Sequence, residues 1–171
     1  MRIQNRGAAE VALLFVIRIG CGRIRRGGKQ EEMEFRMYRT LPDGARLIRE
    51  TVFHQEQGFQ NEFDEVDLRA RHGLLTEAGS PVGTFRLFAG EEPGVMILGR
   101  LAVLKPWRGR KAGSRLVREA LAAARACGAG KLRLHAQVRA ARFYETLGFT
   151  AYGPVEDDEG VPHQWMECEL K

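Results

Sequence analysis

The sequence predicts one α/β domain, and three observations carry the prediction. VMILGRLAVL, Val95 to Leu104, is almost wholly apolar, as a central strand covered on both faces must be. Leu116, Val117, Ala120, Leu121 and Ala124 recur at helical spacing and make one buried stripe. MEFRMYR, Met33 to Arg39, alternates apolar and charged residues, the period of a half-buried strand.

The other elements follow in order. Asp43 is a candidate N-cap, and Leu47, Ile48, Thr51, Val52 and Phe53 share a helical face. GFQNEFDEVDLRA is polar and acidic and reads as a loop or short helix. Its Glu62, Asp64, Glu65 and Asp67 could attract a cationic amine, but the composition is that of a solvated loop. RHGLLTEAGSPVGTFRLFAG reads as two strands joined at Ala78-Gly79-Ser80-Pro81. Glu91 to Gly94 is a turn before the central strand, which Lys105 and Pro106 end. The striped helix stops at Cys127-Gly128-Ala129-Gly130. KLRLHAQ, Lys131 to Gln137, is a strand, and RAARFYETLGF is a short helix ended by Gly148. TAYGP and HQWMECEL are the last strands, across an acidic turn from Glu156 to Gly160.

The 171 residues suffice for one sizeable core and are too few for two comfortable domains. No apolar run approaches the ~20 residues that span a bilayer, so no membrane partner is expected. The formal charge is +5, but residues 1–32 hold seven Lys/Arg against three Asp/Glu, leaving +1 for the body. A fold without clustered basic charge argues against nucleic acid as a partner. Cys21, Cys127 and Cys168 are odd in number and far apart. They read as free thiols in a reducing, cytoplasmic compartment, and no metal is expected.

Residues 1–32 read as a separate N-terminal extension, poorly ordered or accessory, before a domain at 33–171. AAEVALLFVI has the look of a signal segment, but Glu10 interrupts it, Arg18 follows it and no Ala-x-Ala site comes after.

The chemistry concentrates in WRGRKAGSRLV, Trp107 to Val117. A strand, a small-residue loop and a helix start place unpaired backbone N–H groups and the helix dipole where phosphates bind. Lys111 stands where such loops carry glycine. It would be strained if the position needs a positive φ, and tolerable if the helix simply begins there.

The stretch from Leu101 to Phe149 resembles the core of the GCN5-related N-acetyltransferases (GNAT). Arg108 matches the first position of their Arg/Gln-x-x-Gly-x-Gly/Ala motif and Gly113 the last. ARFYETLGF, Ala141 to Phe149, is similar to their second motif. RETVFHQEQGFQNEFDEVD and EGVPHQWME resemble the ElaA-like branch. The resemblance covers residues 33–171. It implies a mixed, mostly antiparallel sheet of six to seven strands, splayed between the fourth and fifth and flanked by about four helices.

The resemblance also implies acetyl-CoA as acyl donor and a small-molecule or peptide amine as acceptor, joined by direct attack in a monomer or homodimer. The pantetheine arm would lie on Leu101, Ala102 and Val103. The phosphates would lie on Arg108, Gly109, Arg110, Lys111, Ala112, Gly113 and Ser114. Tyr144 matches the family tyrosine that faces the sulfur, the proton donor. For the base, Arg100 stands where many members carry Glu. That leaves His163 and Glu56 first, then His72 and His135, or a water chain. Gln137 and Val138 replace a common Asn. Two other readings stay open: a non-catalytic acyl-CoA-binding protein, and an acyl-homoserine-lactone-synthase-like acyltransferase.

Overall fold

The computed structural model describes residues 32–171. The rest of the N-terminal extension, Cys21 included, lies outside the described residues. Seven strands form one sheet: β1 (Met33–Tyr38), β2 (Arg71–Glu77), β3 (Ser80–Ala89), β4 (Val95–Val103), β5 (Lys131–Gln137), β6 (Thr150–Asp158) and β7 (Val161–Glu169). Their spatial order is β1-β2-β3-β4-β5-β7-β6. Every neighbouring pair is antiparallel except β4 with β5. Those two run parallel because the long helix α2 (Ala112–Ala126) connects them. Helix α1 (Asp43–Arg49) follows β1 and continues as a π-helical segment through Glu50–Glu56, and α3 (Ala141–Glu145) follows β5.

Adjacent residues of a strand face opposite sides of the sheet, and each side has its own helix. Leu75 belongs to the α2 side, where all five stripe residues of α2 are buried against Phe85, Leu98, Leu132 and Leu134. Leu74 belongs to the α1 side, with Ala45, Ile48, Val52 and Ala102.

Several boundaries differ from the sequence reading. The N-cap of α1 is Pro42, whose carbonyl accepts from the Ala45 and Arg46 N–H groups. Asp43 sits inside the first turn, where its charge faces the helix dipole. Leu47 is half exposed, because the buried stripe of α1 runs through Ala45, Ile48, Arg49 and Val52. β4 is central but only partly buried. The acidic turn is mostly strand. β6 and β7 pair out to Asp158 and Val161, and Glu159 and Gly160, both at positive φ, make the turn alone.

The acidic run is not a solvated loop. Arg49 is 1% exposed, with Nε 2.5 Å from the Glu62 carboxylate and Nη1 2.7 Å from that of Asp67. Arg86, 6% exposed, grips Asp64 at 2.6 Å and Asp67 at 3.2 Å. Arg100 adds a contact to Glu62 at 2.9 Å. Burial alone would raise Asp67, but hydrogen bonds from Arg49 and the Asp64 N–H hold it at about 2. Burial pushes the Glu62 carboxyl up, against the pull of Arg100 and Arg49. Paired charges of this kind tie the segment between α1 and β2 onto the sheet, and removing one partner strands the other.

Replacing Leu116, fully buried against β2 and β3, by Ala should cost about 2–5 kcal/mol in urea unfolding. A loss below about 1 kcal/mol would contradict the packing of α2 described here.

Candidate active site

β4 meets β5 at Val95–Lys131, Met96–Leu132 and Ile97–Arg133, and no further pair joins them among the described residues. Yet β5 continues along β7 to Gln137 opposite His163, and β4 continues along β3 to Val103 opposite Gly83. Past Ile97 the two strands therefore part. The cause is a bulge in β4. Gly99 faces Arg86 and Ala102 faces Thr84, so Arg100 and Leu101 together oppose Phe85. Arg100 takes a left-handed φ of 51°. A bulge bends its strand and increases the local twist. Arg100 is held in that state by the carbonyls of Asn61 and Glu62 and by the Glu62 carboxylate.

The parting opens a cavity of about 640 Å³. Leu98 to Leu101 form one wall and Leu134 to Gln137 the other. Phe143 and Tyr144 line it, as do Phe53, Phe59, His163 and Trp165.

Beyond β4 the chain makes a 3₁₀ turn at Lys105–Trp107, then the loop to α2. The first backbone bond into α2 runs from the Arg115 N–H to the Lys111 carbonyl at 3.0 Å. The Ala112, Gly113 and Ser114 N–H groups thus have no acceptor within the helix and present its positive end. A Cβ on Gly113 would meet the Phe143 ring at an ordinary contact distance of 3.4 Å, which places the start of α2 against a residue that lines the cavity. Lys111 is the N-cap residue with φ 64°, and Gly109 has φ 76°. The glycine of such loops is missing at a position that does use left-handed backbone, which costs a side-chain-bearing residue about 1 kcal/mol. Arg110 stacks on Trp107 at 4.3 Å and pairs with Glu77 at 3.2 Å. Arg108 folds back: its Nε donates to the Val103 carbonyl at 2.9 Å and its Nη2 reaches Glu56 at 2.7 Å.

The predicted acid and one predicted base share the cavity. Tyr144 is 8% exposed, and burial raises its phenol well above the ordinary value, so it stays protonated. His163 is 6% exposed, with Nδ1 2.9 Å from the Val161 carbonyl. A carbonyl only accepts, so Nδ1 carries a proton and Nε2 is the ring nitrogen left to face the cavity. Its neighbours are His135, with ring centroids 5.1 Å apart, and Phe59 at 6.5 Å. His135 stacks on Trp165 and lies 3.4 Å from Glu156. Burial, then His163, lowers its affinity for a proton. Glu56 is absent from the cavity wall and sits on the Arg108 guanidinium. His72 lies away from the cavity, fully buried with Nε2 on the Asp67 carbonyl. Gln137 holds Gln57 across the opening at 2.8 Å.

Sequence reasoning missed Glu62, Asn61, Phe59, Asp158 and Glu159 as lining residues. One signal was available for Glu62. A charged Arg100 inside an apolar strand requires a buried partner, and the nearby acidic run could supply it.

A profile described as an acetyltransferase (GNAT) domain matches residues 41–170. The chain belongs to the GNAT acetyltransferase family. It is an acyltransferase. It is 33% identical to YyaT of Bacillus subtilis over 132 residues, 74% of this chain and 87% of that protein. Among solved structures, Escherichia coli ElaA is 25% identical with a TM-score of 0.74, over 81% of this chain and all of that one. An acyl-CoA N-acyltransferase from Pseudomonas aeruginosa shares the fold, at 24% identity and a TM-score of 0.72, over 80% of this chain and 99% of that one. The likeness to ElaA agrees with the ElaA-like segments at both ends of the domain. Among the described residues no helix is long and apolar enough to cross a membrane.

Relieving the left-handed Lys111 with Lys111→Gly should raise the urea midpoint, by up to about 1 kcal/mol in stability, at constant m-value. A clear drop in the midpoint would show that the lysine side chain, not the backbone, matters there.

Proposed function

We propose that the protein transfers the acetyl group of acetyl-CoA to a primary amine of a small molecule or peptide, by direct attack in a ternary complex. One observation carries this reading: the parting of β4 and β5 lies beside the N-terminus of α2, and Tyr144 and His163 line the same cavity. The residues present suit the donor. Amide N–H groups from Gly109 to Ser114 would receive its phosphates, with Arg110 and Lys111 adding positive charge. Arg108 contributes mainly by closing the end of β4. The edge of β4 at Leu101, Ala102 and Val103 would accept the pantetheine arm as it would an added strand.

Backbone N–H groups around the bulge would polarise the thioester carbonyl. His163 Nε2 takes a proton from the acceptor ammonium. The freed amine nitrogen bonds to the carbonyl carbon as the carbon–sulfur bond breaks. Tyr144 gives its proton to the departing thiolate and is reprotonated by the second proton that the new amide nitrogen sheds. We assign Glu56 a positioning role, since it acts through Arg108. Free thiols at Cys127 and Cys168 suit a reducing compartment, and we assign the enzyme to the cytoplasm.

Tyr144→Phe should lower kcat about 100-fold in a thiol-release assay while acetyl-CoA affinity by calorimetry stays within about three-fold. His163→Gln should lower kcat/KM about 100-fold, with acetyl-CoA affinity again within about three-fold. Wild-type turnover by Tyr144→Phe would contradict the assignment of the proton donor.

A further inference from the structure

The charges that line the cavity are unevenly compensated. On the α1 side the lining residues Glu62, Arg86 and Arg100 belong to a cluster in which they and Arg49, Asp64 and Asp67 pair three arginines with three carboxylates at 2.5–3.6 Å. That group is neutral as a whole, so the acidic run leaves no charge to attract a ligand. The β6–β7 hairpin is different. Asp158 lines the cavity and makes no ion pair among the described residues. Glu159 also lines it, and its partners are the uncharged donors Gln60 N–H at 3.0 Å and Asn61 Nδ2 at 3.3 Å. Neither bond removes its charge.

Geometry sets these carboxylates at a defined reach from the chemistry. Glu156 faces His163 across the β6–β7 ladder. Asp158, two residues on, lies on the same face of β6. Two residues of rise along a strand is about 7 Å. Around His163 the wall carries Phe59, Trp165 and the His135 ring, faces that favour an alkyl chain or a cation over an anion. His163 itself is nine-tenths buried, and its Nε2 has no hydrogen-bond partner among the described residues. The cavity therefore offers one proton acceptor deep inside and two uncompensated carboxylates nearer the mouth.

We infer that the acceptor is a dication: an amine that carries a second positive charge about 7 Å from the reacting nitrogen, as in an α,ω-diaminoalkane or a basic side chain of a peptide. The inference rests on the acetyltransferase reading. One end of the acceptor is acetylated at His163, and the other stays charged beside Asp158 and Glu159. In balance, the acetyl carbon gains the nitrogen and loses the sulfur; of the two protons the nitrogen gives up, one leaves through His163 to solvent and the other restores the proton that Tyr144 gives to the thiolate.

The test compares three acceptors of one length with the full chain and acetyl-CoA: 1,5-diaminopentane, pentylamine and 5-aminopentanoate. The expected order of kcat/KM is diamine, then monoamine by about ten-fold less, then amino acid lowest. The double variant Asp158→Asn, Glu159→Gln should bring the diamine-to-monoamine ratio to within about two-fold. Single variants and the ratio within each protein keep the readout independent of total activity. Equal use of all three acceptors by the wild type would overturn the dication but leave the acetyltransferase reading intact. So would an unchanged ratio in the double variant. Acetylation of none of the three, with acetyl-CoA still bound, would overturn both.

Discussion

Past Ile97 two neighbouring strands of one sheet give up their mutual hydrogen bonds, and most of the molecule is arranged around that parting. Unpaired backbone groups inside a protein are costly, so the sheet cannot open there without support from outside. β3 keeps the far edge of β4 and β7 keeps the far edge of β5. The bulge at Arg100 and Leu101 turns β4 away, and Arg100 is clamped to the Asn61–Glu62 backbone in its left-handed conformation. Arg108 secures the end of the same strand by its bond to the Val103 carbonyl. The result is a cavity opened by the backbone and walled by side chains.

The buried ion cluster serves the same geometry. It is an expensive way to stabilise a protein, since hydrophobic residues of like volume are often as good. Its use here is positional. Arg49 on α1 and Arg86 on β3 hold Glu62, Asp64 and Asp67 from opposite sides, so the segment before β2 becomes a rigid wall of the cavity. Because those charges cancel, the field in the cavity is left to the β6–β7 hairpin. In the other wall Asp158 and Glu159 make no ion pair among the described residues, and Glu159 accepts only from uncharged donors.

Much of this was legible in the sequence, for reasons that particular residues show. The α2 stripe and the strand alternation of MEFRMYR follow from periodicity, and the structure places both as expected. The loop after β4 was legible because its chemistry is local: a strand end, small residues and a helix start lie within eleven residues. The acidic run misled because composition cannot distinguish a solvated carboxylate from one paired with an arginine far away in sequence. Leu47 misled for the same reason, since a stripe that buries Arg49 is not an apolar stripe. The β4 bulge left no pattern, because one residue of extra length in a strand has no periodic mark. Glu156 to Asp158 were read as turn because charge density suggested it, whereas the ladder with β7 carries the strand to Asp158 and leaves the turn to Glu159 and Gly160.

The central claim is that the β4–β5 parting is the donor slot. A structure of the full chain with bound coenzyme A tests it most directly. The account predicts phosphates on the backbone N–H groups between Gly109 and Ser114, the pantetheine chain along Leu101 to Val103, and the sulfur facing Tyr144. Coenzyme A bound elsewhere, or a sheet in which β4 and β5 pair beyond Ile97 with the ligand outside it, would contradict it.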